Sequence, residues 1–229
     1  MELTDRDRAI YEWQIWVNGL GDAGQQKLKN SPALITRVGG LGGPLAQSLA
    51  AAGLGKLILA HGGNTKHSDL NRQILQTHDQ LGKPRIESCR RRLMELNPQI
   101  EIETCGENVT EANVRGLVSG ADLVFDCAPL FEERLLLNRE CVRQQKPLVD
   151  AAMFEMEGQL TTIIPGQTPC LACLYPEIPP GWKRKFPVIG AVSATMANLA
   201  ALEGLKLLAG FGELLTNTLL IFDARSMDF

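Results

Sequence analysis

The stretch "ITRVGGLGGPLAQSLAAAGLGKLILAHGG", residues 35–63, limits this chain more than any other. An apolar run, a cluster of glycines, an Ala/Leu-rich segment and a second apolar run follow one another within about 30 residues, the length of one β-α-β unit. Two strands joined through a helix pair in parallel, and parallel sheets need helices on their faces. The glycines fall where the first strand hands over to the helix. Backbone N–H groups at such a helix start, with the helix dipole behind them, suit phosphate oxygens.

The alternation continues along the chain. "KPRIESCRRRLMELNP" carries apolar residues at helical spacing and stops at Pro98, "IEIETC" alternates like a strand, and "TEANVRGLVSG" reads as a helix before the apolar run "ADLVFDCA". "LFEERLLLNRECVRQQ" is then a helix and "PLVDAA" a strand. The last third changes character. "EGQLTTIIPGQTPC" suggests antiparallel strands, "YPEIPPGWKRKFP" a proline-rich loop, "AVSATMANLAALEGLKLLAG" a long small-residue helix, and "NTLLIFDARSMDF" a closing strand. The expected fold is α/β: a Rossmann-like, doubly wound, mostly parallel sheet with an antiparallel extension in the C-terminal third and a ligand crevice at the carboxyl ends of the strands. At the other end, residues Leu3 to Ile15 read as a helix capped by Thr4, with Ile10, Tyr11, Trp13 and Ile15 supplying apolar contacts, and "GLGDAGQQKLKN" as a connection and short helix. The whole, 1–229, reads as a single domain: a helical arm (1–30), a nucleotide-binding Rossmann-like part (31–150), and a final part of antiparallel strands, crossover loop and helix (151–229).

Composition removes several function classes. A net charge of −3 gives no general attraction to phosphate backbones, so nucleic acid is not an expected partner; the basic clusters "KPRIESCRRR" and "WKRK" read as solvated faces. No apolar stretch approaches the ~20 residues that span a bilayer, and the charged N-terminus has no secretory core, which makes the cytoplasm the expected location and a membrane no partner. Six cysteines scattered through the chain fit reduced thiols. Cys89, Cys105, Cys127 and Cys141 read as core; His67, His78 and Asp79 as surface.

Five pieces in order, "VGGLGGPLAQSLAAAGLGKLIL", "SDLNRQIL", "LVFDC", "EGQLTTIIPGQTPCLACLYP" and "GAVSATMANLAALEGLKLLAG", resemble the ThiF/MoeB/HesA family, relatives of the ubiquitin-activating enzymes. "LILAHGG" and "FPVIGAVS" are most similar to its HesA branch, which is associated with nitrogen-fixation gene clusters. The resemblance implies a homodimer that binds ATP with Mg2+ and adenylates the C-terminal carboxylate of a small sulfur-carrier protein, or acts with a cofactor-assembly protein. It places Gly39, Gly40, Leu41, Gly42, Gly62, Asn71, Arg72, Gln73, Arg85 and Asp126 at the nucleotide, with Arg72 and Arg85 as catalytic groups, because guanidinium forks neutralise charge that builds between phosphates. The implied role is an ATP-dependent adenylyltransferase-type activator in sulfur- or metal-cofactor assembly, including the molybdenum cofactor of nitrogenase.

Several positions depart from the family pattern. Arg37 replaces the first glycine of the loop, and its side chain either reaches a phosphate or fills the phosphate space. His61 and Gly63 stand at acidic positions that hold ribose, Pro129 at an aspartate that helps hold magnesium, and Trp13 at an arginine that reaches the partner subunit. Asp126 is either a substitute metal ligand or a backbone cap, and Trp13 either stacks on adenine or is buried at an interface. Cys170 and Cys173 match the first half of a four-thiolate zinc site whose second pair does not follow; a buried reduced pair is the expectation, with no metal unless two subunits share one ion. The five departures motivate an alternative function, a catalytically silent dimeric scaffold for a partner protein or cofactor intermediate. An NAD-dependent dehydrogenase ranks last, for want of an acidic ribose partner. The proline-rich stretch from Pro176 to Pro187 is either a crossover loop at a substrate channel or an ordinary surface loop.

Overall fold

The alternating apolar runs assemble, in a computed structural model that describes residues 1–178 and 187–229, into one seven-stranded sheet. Two helices come first, α1 (Asp5–Ile15) and α2 (Gly21–Asn30). The glycine-loop unit follows as β1 (Pro32–Thr36), α3 (Gly42–Ala51) and β2 (Lys56–Ala60). Next are α4 (Arg85–Leu96), β3 (Glu101–Cys105), α5 (Val114–Ser119), β4 (Leu123–Asp126), α6 (Phe131–Gln144) and β5 (Leu148–Phe154). The last third adds β6 (Glu157–Ile163), the single turn α7 (Leu171–Leu174), the long α8 (Gly190–Ala209) and β7 (Leu220–Asp223). The basic segment 182–185 and most of the proline-rich stretch fall outside the described residues.

Strand order is β3-β2-β1-β4-β5-β6-β7. The first five strands run parallel, and β6 and β7 add in antiparallel fashion, as the sequence pattern predicts. The order reverses between β1 and β4, which are paired with Ile35 opposite Phe125, so the crevice opens at the carboxyl ends of those two strands.

Alternate residues of each strand feed opposite faces. Ile35, Leu57, Leu59 and Phe125 pack against Leu45 and Leu49 of α3, Leu93 of α4 and Ala197 and Ala200 of α8. Leu34, Ile58, Val124 and Leu148 pack against Val118 of α5 and Leu137 and Cys141 of α6. Each fully buried leucine contributes roughly 1.5–3 kcal/mol over its exposed state. The small residues of α8 permit close approach to the sheet: a Cβ on Gly204 would sit 2.3 Å from Phe125 Cζ.

At the N-terminal arm, the Thr4 hydroxyl accepts the Asp7 N–H at 3.2 Å while the Asp7 carboxylate accepts the Thr4 N–H at 2.8 Å, the reciprocal cap that starts α1. Tyr11 is buried, its hydroxyl accepting from the Asn97 side chain at 3.2 Å. Ile10 and Trp13 do not pack onto the body of this chain: they are 52 % and 81 % exposed. Asp7 and Tyr11, four residues apart, define the inward face, and Trp13 lies around the helix from it. No helix among the described residues is long and apolar enough to cross a membrane.

Candidate functional site

A cavity of about 1000 Å³ lies at the carboxyl ends of the central strands, bordered by the glycine loop, the turn 66–73, Arg85, residues 127–134 and the β5–β6 pair. The loop is drawn tight. The Arg37 N–H donates to Ala60 O at 2.8 Å, and the Gly39 N–H to Arg37 O at 2.6 Å. A Cβ on Gly42 would meet Arg37 O at 2.7 Å, so only glycine closes this turn. Gly39, Gly40 and Leu41 line the cavity; Gly42 lies behind them at the start of α3. Gly40 faces Arg72 Cγ and Ser193 of α8, at 3.1 and 3.4 Å from the position of a Cβ.

Arg37 adopts the left-handed conformation, φ 55°, that the expected glycine would take without strain. Its guanidinium turns to the first turn of α6, with Nε 2.9 and 2.7 Å from the two Glu133 carboxylate oxygens and Nη2 2.6 Å from Oε2. The side chain forms a wall of the cavity and leaves its volume open.

Opposite the loop, one buried acid gathers the expected charge-handling groups. Asp69 accepts the Gln73 amide at 2.9 Å and the Lys66 N–H at 2.9 Å, and it lies 3.5 Å from Arg72 Nη2 and 3.3 Å from Arg85 Nη2. Arg85 is also held by the carbonyl of Asn64 at 2.6 Å and stands 3.4 Å from His61 Nε2. Arg72, Gln73, Arg85 and His61 therefore converge on the cavity wall. Asn71 is exposed beside them, its Oδ1 accepting from Arg72 at 3.0 Å. Gly62 and Gly63 turn away from the end of β2: Gly62 N–H donates to Asn108 Oδ1 at 3.0 Å, and Gly63 has φ +87°.

Asp126 is fully buried behind the cavity. Its Oδ1 accepts the Ala128 N–H at 2.9 Å and its Oδ2 faces Arg134 Nε at 3.3 Å, the backbone-cap arrangement. Arg134 bridges on to both oxygens of Asp150 at 2.8 and 2.7 Å. Burial pushes the Asp126 carboxyl well above the ordinary carboxylate range, against the pull of Arg134 and with the help of Asp150. Pro129 lines the cavity next to this cluster. Among the described residues no three His, Cys, Asp or Glu side chains come together as a metal-ligand set.

Sequence reasoning missed Asp69, Glu133, Arg134 and Asp150. Only Asp69, four residues before Gln73, carries a local signal, the i to i+4 spacing of a side-chain pair. Trp13 is not among the residues that line the cavity. Cys170 and Cys173 stand with their sulfurs 3.8 Å apart, and the expected burial of the pair is corrected: Cys173 is exposed and Cys170 partly so, because α7 is one turn that sends only Leu171 into the core. Burial raises the Cys170 thiol, but the Asn138 side chain and the N–H groups of Cys173 and Ala172 outweigh it and hold the thiol below its ordinary value.

A parallel sheet of order 3-2-1-4-5, with a glycine loop at its switch point and guanidinium groups facing that loop, defines a Rossmann-like protein with an arginine-lined crevice. The chain belongs to the ThiF family, whose profile matches residues 11–229. It is 49 % identical to the heterocyst HesA protein of Trichormus variabilis over the whole chain and 86 % of that protein. It is 41 % identical to the adenylyltransferase and sulfurtransferase MOCS3 of Drosophila yakuba, over 98 % of this chain and 51 % of that one. Among solved structures, E. coli MccB with succinimide superposes with a TM-score of 0.86 at 23 % identity, over 99 % of this chain and 70 % of that one, and MccB with ATP with 0.79 at 24 %, over 90 % and 64 %. These structural likenesses speak for the fold.

Proposed function

We propose that the chain is an ATP-dependent activating protein of HesA type, an adenylyltransferase that works as a homodimer in sulfur- or metal-cofactor assembly, including the molybdenum cofactor of nitrogenase. The observation that carries the reading is the convergence of Arg72, Gln73 and Arg85 on buried Asp69, directly across from the loop glycines. A family relative that carries adenylyltransferase in its name, and a fold neighbour solved with ATP, support the nucleotide. In the reaction a carboxylate oxygen attacks the α-phosphorus, the bond to the bridging oxygen breaks, and pyrophosphate leaves with its electron pair. Charge grows on the phosphate oxygens, where the loop N–H groups and the Arg72 guanidinium stabilise it. Arg85, held by Asp69 and Asn64, keeps its positive charge fixed at the wall.

The residues present do not fit a magnesium ion. Asp126 is buried and bound to Ala128 and Arg134, and Pro129 offers no side-chain oxygen. The apolar arm of the cavity, lined by Met153, Phe154, Gly158 and Ile221, suits an extended peptide tail ending in the reacting carboxylate. A small sulfur-carrier protein or a cofactor-assembly protein is the matching partner.

Exchange of labelled pyrophosphate into ATP, run with a candidate carrier protein whose C-terminal carboxylate takes the adenylyl group, tests the reading. Arg72→Ala is expected to lower exchange by a hundredfold or more, at about 3 kcal/mol of lost transition-state stabilisation, with folding intact. Unchanged exchange removes Arg72 from the mechanism. The departures at Trp13, Arg37, His61, Gly63 and Pro129, three of which (Arg37, His61 and Pro129) line the cavity, motivate a second reading, a dimeric scaffold without turnover. Titration calorimetry separates the two, since a scaffold gives no heat with ATP at millimolar concentration.

A further inference from the structure

Position 37 is built in a way that glycine would make unnecessary. A non-glycine residue at φ 55° stores strain, which persists where the surroundings hold it for a purpose. A buried arginine–carboxylate pair is also a weak source of stability, since its desolvation cost offsets much of its attraction. Yet Arg37 and Glu133 are 9 % and 7 % exposed and make a two-toothed contact between the loop after β1 and the first turn of α6. The contact occupies Nε and Nη2. Nη1 has no hydrogen-bond partner among the described residues, on a side chain that lines the cavity beside the loop glycines.

The acids around this point are all engaged. Glu133 holds Arg37, Asp150 holds Arg134, Asp126 holds Ala128 N–H and Arg134, and Asp69 holds Gln73 between two arginines. A hard dication asks for about six oxygen ligands. The acids that line the cavity among the described residues are Asp69 and Glu157, and Glu157 lies on the β5–β6 side. Pro129, where the family pattern has an acid, lies two residues before α6, the helix that carries Glu133. Pro129 and Arg37 thus line the same cavity, beyond the carboxyl ends of the paired strands β4 and β1.

We infer that the Arg37 guanidinium, clamped by Glu133, supplies the positive charge that a divalent cation supplies in an acid-lined nucleotide site, so that this chain takes its nucleoside triphosphate without a metal. The inference rests on the nucleotide reading above. Glu133 holds the fork through Nε and Nη2 and leaves Nη1 as the donor for a phosphate in the cavity that Arg37 lines, and a fixed guanidinium loses little freedom when a phosphate arrives.

ATP affinity measured by calorimetry in EDTA and in excess Mg2+ tests this, on the intact chain and on Arg37→Lys and Arg37→Gly/Glu133→Gln. The double variant removes both charges, so that no carboxylate is left buried alone. The parent chain is expected to bind in EDTA within about threefold of its Mg2+ value, and the double variant to lose about ten- to a hundredfold in EDTA, the worth of one charged hydrogen bond. Arg37→Lys retains the charge and is expected to retain part of the EDTA affinity. Parent binding that falls tenfold or more in EDTA overturns the inference, as does a folded double variant that binds metal-free ATP as well as the parent. Binding only with Mg2+ leaves the nucleotide reading standing; no binding in either condition removes both.

Discussion

Arg37 shows how much one side chain can decide. Its position in the loop was legible because a glycine pattern makes any other residue conspicuous, but its direction was not, since Glu133 lies 96 residues away along the chain. Asp69 and Arg134 escaped for a related reason: an acid or arginine reads as surface until the fold supplies a buried partner. The cysteines behave differently. Burial pushes the Cys89 thiol up to about 12, whereas the Cys170 thiol is held below its ordinary value by the donors around it. Thiolate is the reactive form, so at pH 7 iodoacetamide is expected to label Cys170 well before Cys89, with mass spectrometry as the readout. Equal labelling would refute the assigned environments. Cys170 and Cys173 could be recognised as a pair from their spacing, while their exposure depended on the shortness of α7.

Periodicity marked nearly every element, because strands with one buried face per alternate residue and helices with apolar stripes write themselves into the chain. It is less plain in α1, where Trp13 and Ile10 face outward while Tyr11 and the Asp7 carboxylate face in. Burial works against ionisation of Asp7, but Lys29 at 2.6 Å and the hydroxyl and N–H of Thr4 outweigh it and lower the carboxyl from 3.8 to about 2. The folded value lies below the unfolded one, so this contact stabilises the arm fully above about pH 4 and ceases to as pH falls through about 2. Melting temperatures of the parent and Asp7→Asn are expected to differ at pH 6 and to converge near pH 2. A gap that stays constant across that range would show that the carboxylate charge is not what anchors α1.

Across the whole molecule, the mostly parallel sheet with its antiparallel extension follows from the sequence pattern, while what covers α1 does not. Ile10, Trp13, Trp16 and Val17 are 52, 81, 70 and 49 % exposed at the end of the arm, a patch that matches the proposed homodimer. Trp13→Glu is expected to convert a particle of twice the 25.0 kDa chain mass into one of chain mass in light scattering, and an unchanged mass would place the interface elsewhere. A last consequence concerns the start of α8. A Cβ on Gly190 would lie 2.8 Å from Asn71 O and 3.1 Å from Arg72 Cα, and Ser193 stands against Gly40. The first turn of this late helix is thus the backing plate of a motif formed more than a hundred residues earlier. Grafting the glycine-loop portion onto another scaffold, or exchanging the C-terminal third between relatives, would leave the arginine without its support; the two parts must be transplanted together.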